Sequence, residues 1–106
     1  MTPEQAAMVD FLRQQCAEGI ERARSIGNAL IAQGALAHLG VSPDKAEARA
    51  REGLHGAETR ARFFEETIVP YLGTAGPTGR IADQQLRLLT YEHREARGYR
   101  DEWHAE

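Results

Sequence analysis

Apolar and small residues recur at Leu12, Cys16, Gly19, Ala23, Ile26 and Leu30, in alternating steps of four and three. That spacing is a heptad-like seam along one side of a helix. Thr2-Pro3-Glu4-Gln5 in front of it is a start signal: Thr2 can cap, Pro3 suits the first helical position and Gln5 completes a capping box. The run predicts a helix over about 3–39, either unbroken or interrupted near Gly27. Ser42-Pro43-Asp44 repeats the start signal, and a second seam follows at Ala46, Ala50, Leu54, Ala57, Ala61, Phe64 and Ile68. This second helix is expected over 43–69, ended or kinked by Pro70, which lacks an amide hydrogen and clashes with the preceding turn. "GTAGPTG", residues 73–79, reads as a loop. A third helix is expected over 80–97, with Ala82, Leu86, Leu89, His93 and Ala96 on its inner stripe and Gly98 as its C-cap.

Both long seams are rich in Ala and Gly at their centres, which lets two helix backbones approach closely. The expected fold is all-α: one domain over 1–106, a tight antiparallel helical hairpin plus a third helix in a small bundle. Met8, Phe11 and Leu12 would meet Phe63, Phe64, Ile68, Tyr71 and Leu72 at one end of the hairpin. The other end is thin and alanine-lined, which points to a second subunit and a homodimer. The tail, residues 98–106, holds the only tryptophan. Tyr99 and Trp103 are spaced i, i+4, so in a final helical turn they would share a face. They either cover the aromatic end of the hairpin or form an exposed partner-binding hook.

Charge narrows the function. The net charge is −3, and residues 1–40, 41–79 and 80–106 carry three, five and five basic side chains against four, six and six acidic ones. No stretch forms the basic stripe that nucleic-acid binding needs, so nucleic acid is disfavoured as a partner. The single cysteine, Cys16, allows no internal disulfide and suits a reducing, cytoplasmic setting. The segment from Ser25 to Pro43 carries no charge, but Asn28, Gln33 and His38 interrupt it and its apolar part is too short to span a bilayer.

The sharpest chemical pattern is Glu52-Gly53-Leu54-His55, an Glu-x-x-His half-site of the kind di-iron carboxylate bundles use. Helix one offers Glu18 and Glu21, a carboxylate pair one turn apart. Glu18, Glu21, Glu52 and His55 are therefore candidate ligands for iron or zinc in a ferritin-like arrangement. On an ideal wheel they face away from both seams and would converge only across a subunit interface. Local i, i+4 ion pairs compete for the same face: Glu18 with Arg22, Glu47 with Arg51, Glu58 with Arg62, and Asp83 with Arg87. Without metal these residues form a solvated charged face, and no cofactor is needed. The glycine-rich loop lacks the Lys-Ser/Thr ending of a phosphate loop. Cys16 has no His or Asn at a spacing that implies a catalytic thiol.

Two segments carry a resemblance. "VDFLRQQCAEGIERAR", with Phe11, Leu12 and Arg13, and "LRLLTYEHREARGYRDEW", with Leu86 to Leu89, Tyr99, Arg100, Glu102 and Trp103, resemble a family of small actinobacterial and phage-borne helical proteins of unknown function. The match covers about a third of the chain, and "TYEHREARG" replaces the proline-containing link usual in that family. The resemblance implies no activity. The expected function is a non-enzymatic interaction or accessory protein that works through a helical face or the Tyr99/Trp103 end, with a metal-binding helical protein as the alternative.

Overall fold

The start signal at Thr2 forms as a reciprocal capping box. The Gln5 amide donates to Thr2 Oγ1 at 3.1 Å, and the Thr2 amide donates to Gln5 Oε1 at 2.9 Å. From there helix α1 runs Pro3–Ala32, unbroken at Gly27. The computed structural model describes residues 1–32 and 42–104, so the expected extension of the first helix to 39, with His38, lies outside the described residues. Helix α2 spans Pro43–Thr67, its Lys45 amide donating to Ser42 Oγ. It stops two residues short of the expected 69, and a 3₁₀ turn at Val69–Tyr71 carries Pro70.

Helix α3 spans Pro77–Glu92, and both of its expected boundaries are corrected. The start moves from 80 to 77 because Gly76 (φ 81°) reverses the chain and Pro77 opens the helix. Gly79 sits inside that first turn, where a Cβ would collide with the Thr74 carbonyl. The end moves from 97 to 92: His93 is the C-cap, and turns follow to Gly98. Gly98 (φ 97°) therefore turns the tail and does not cap α3, and a second 3₁₀ turn forms at Asp101–Trp103. Every described regular element is helical, and no described helix is long and apolar enough to cross a membrane.

The chain divides into two compact units, residues 1–15 with 62–106, and residues 16–61. The first holds the core: Met8, Val9, Phe11, Leu12, Phe64, Ile68, Leu72, Ala82, Leu86 and Trp103. It brings the start of α1 to the end of α2, as an antiparallel pair must, and the Arg13 guanidinium clamps Glu65 with bonds of 2.6 and 3.1 Å. Phe63 and Tyr71, expected in this cluster, are exposed. Thr90 is buried, and its hydroxyl donates to the Leu86 carbonyl at 2.7 Å. In the second unit Gly27 faces Ala50, and a Cβ on Gly27 would lie 2.9 Å from that of Ala50. Ala46 and Ala57 are the buried apolar side chains described there.

Candidate functional site

The proposed metal ligands are Glu18 and Glu21 on α1, and Glu52 and His55 on α2. All four are exposed. Glu21 is engaged by Arg24 at 2.7 Å. Among the described residues no group of three or more His, Cys, Asp or Glu side chains is placed to hold a metal ion. The four positions face solvent, away from the Gly27–Ala50 contact of the two helices. Of the expected local pairs, Glu47 with Arg51 and Asp83 with Arg87 form. Arg62 chooses Glu66 over Glu58.

The tail is a lid. Trp103 is 3% exposed and packs against Phe11 at 5.4 Å, centroid to centroid, with the rings tilted by 59°. Tyr99 meets Phe11 and Trp103 edge-on at 6.1 and 5.7 Å. These edge-to-face contacts are the favoured geometry for aromatic quadrupoles. Spacing places the two rings on one face of a final helical turn, but no such turn forms; the turn at Gly98 and the 3₁₀ turn bring them together over Phe11. A hook exposed in the free chain is incompatible with Trp103's burial. Burial raises the Tyr99 phenol above its usual value, and its hydroxyl is buried with no hydrogen-bond partner among the described residues.

A polar cluster ties α1 to α3. Gln5 Nε2 donates to Asp83 Oδ1 at 2.9 Å, Arg87 Nε donates to Asp83 Oδ2 at 2.9 Å, and Arg87 also reaches Glu4 at 3.0 Å. Burial works to raise the Asp83 carboxyl; the bonds from Gln5 and Arg87, with Arg87's charge, overcome it and hold the group below its ordinary 3.8. Only the Asp83–Arg87 half was legible from spacing. The cluster is fully partnered, which makes it a structural tie.

The surface left over lies on residues 16–61. A shallow groove of about 330 Å³ runs between α1 and α2, with Gly19, Ala23, Ile26 and Leu30 on one wall and Ala50 and Gly53 on the other. Ile26 is 59% exposed. The first seam thus leaves the α2 contact: Gly27, outside the seam, is buried against Ala50, while seam positions 19, 26 and 30 face the groove. A straight helix drifts about 20° per heptad relative to a 3.5 repeat, which turns such a stripe sideways.

Arg22, Arg49 and Arg60 border the groove, and Arg49 and Arg60 have no ion pair among the described residues. A neighbouring groove of about 290 Å³ differs in that its arginines, Arg24 and Arg51, are paired with Glu21 and Glu47. The glycines of the first groove are also distinctive. Among the described residues a Cβ on Gly53 would meet nothing within 4 Å, and one on Gly19 only the Arg22 guanidinium at 3.9 Å. Composition concealed this site, because the arginines are balanced by acids elsewhere in the chain. No protein-family model, curated protein or solved structure matches this chain.

Proposed function

We propose that this chain is a non-enzymatic, cytoplasmic protein-interaction module whose working surface is the groove on residues 16–61. One observation carries the reading: Gly53 stands in the interior of α2 with open space beside it among the described residues. Glycine there costs the helix about 0.5–1 kcal/mol relative to alanine, and unlike Gly27 it repays nothing in close packing. A partner's approach to the bare backbone accounts for it. Exposed Ile26 and half-buried Leu30 beside it supply an apolar wall for such a partner. With Trp103 buried, the tail offers no comparable anchor.

A photo-crosslinking residue placed at position 26, and separately at position 88 on exposed Leu88 of α3, tests the reading in the producing cell. A discrete protein adduct is expected from position 26, absent from position 88, and lost when Gly53→Leu fills the groove. Adducts that ignore Gly53→Leu, or that form at position 88 alone, overturn it.

A further inference from the structure

We propose that the groove takes one amphipathic α-helix of a partner protein, acidic along the edge of its apolar stripe. This rests on the interaction reading above and adds the chemistry of the partner. The open Gly53 on the α2 wall allows a third backbone to come close, since interhelical distance is set by the side chains at the contact. Ile26 and Leu30 continue a heptad-spaced stripe that α2 does not cover, and heptad spacing is what a packed helix reads.

The arginines supply the specificity. Arg49 and Arg60 are eleven positions apart on α2, about 16 Å at 1.5 Å per residue, or three helical turns. The Arg22 guanidinium lies over Gly19 in the groove wall, and Arg60, also bordering the groove, lies back over Gly56. Arginine binds carboxylates through paired parallel N–H bonds, so a helix with Glu or Asp on successive turns satisfies all three.

A second copy of this chain fits less well. Two copies meeting groove to groove would set six arginines along one seam, and like-charge juxtaposition across an interface is unfavourable. Nucleic acid fits less well too: the groove's walls are apolar, and the chain carries −3 overall. Binding a phosphate backbone depends on a broad positive field.

The experiment uses the full chain and three synthetic 21-residue helical peptides with one Leu/Ala stripe, edged by Glu, by Gln or by Lys. Binding is read by fluorescence anisotropy. The Glu peptide is expected to bind at least tenfold tighter than the Gln peptide and to weaken as salt rises; the Lys peptide is expected not to bind. Arg22→Glu/Arg49→Glu/Arg60→Glu should abolish Glu-peptide binding and favour the Lys peptide. Circular dichroism of that variant checks that the helices persist, and Gly53→Leu, which raises helix propensity, blocks the groove by a second route. Equal binding of Glu and Gln peptides, unchanged in the triple variant, overturns the acidic preference while position-26 adducts leave the interaction reading standing. Loss of both peptide binding and adducts overturns both. A dimer in sedimentation that the triple variant dissociates assigns the groove to a second copy. Tighter binding of a 20-base-pair duplex or of phosphatidylglycerol vesicles than of the Glu peptide also overturns the proposal.

Discussion

Helices α1 and α2 pass through both units of this chain, and the two units bury them by different means. In residues 1–15 and 62–104 the pair carries large side chains, and α3 and the tail cover it; Met8 and Leu86 are fully enclosed. In residues 16–61 the pair meets through Gly27 and Ala50, and no further described element belongs to that unit. One unit gains stability by removing apolar area from water. The other gives up area for close approach, and its groove is lined by Ile26, Leu30 and three arginines. Stability and candidate function are thus separated along the same two helices.

The largest test of that contrast is Trp103→Ala. The indole seals the cluster around Phe11, and removing a buried aromatic costs about 3–5 kcal/mol. A melting temperature lower by more than 10 °C is expected, on the scale of several degrees per kcal/mol for a domain of this size. Groove binding measured below the new transition should be unchanged. A stable Trp103→Ala protein would show that the tail is an ornament and not a lid.

The glycines sharpen the comparison from the other side. Gly27→Val forces a branched side chain against Ala50 and should cost about 1–3 kcal/mol. Gly53→Ala adds a Cβ into open space and should stabilise by about 0.5–1 kcal/mol. Native-state hydrogen exchange of amides in 16–61 reads both changes. If the two substitutions shift exchange in the same direction, the distinction between a packing glycine and a groove glycine fails.

A smaller effect belongs to pH. Asp83 has a folded value below its ordinary 3.8, so the deprotonated state favours the fold. Its contribution is complete above the unfolded value, and it is lost as pH falls through the folded value. The melting temperature should therefore decline below about pH 4, and Asp83→Asn should flatten that decline. Glu65, lowered chiefly by its bond from Arg13, adds to the same slope, which an Arg13→Gln background removes.

The parts of this structure that read from sequence are those in which one residue type has one use. Thr2 and Gln5 cap, Pro43 opens a helix, and Phe64 and Ile68 fill a core. What failed depends on competition between neighbours. Gly76-Pro77-Thr78-Gly79 reads as loop by composition, yet a proline tolerated at the first helical position starts α3 there. The heptad seam names Gly19 and Ile26, but the helix pair touches at Gly27, because contact follows where two small residues coincide in space. The groove arginines were invisible for a similar reason: Arg22, Arg49 and Arg60 come from two helices, and only the structure brings them to one groove.

The smallest effect expected is at Tyr99. Its ring packs edge-on against Phe11 and Trp103, while its hydroxyl is buried without a partner among the described residues. An unmade hydrogen bond costs the desolvation of the group, so deleting the hydroxyl removes a penalty and leaves the packing in place. Tyr99→Phe should therefore leave stability unchanged or raise it by up to about 1 kcal/mol, read as a denaturant midpoint at constant slope. Tyr99→Ala should fall on the side of Trp103→Ala, because it removes the ring that the other two need. A Tyr99→Phe protein clearly less stable than the parent would mean that the hydroxyl is bonded, and that the lid is held by polarity as well as by area.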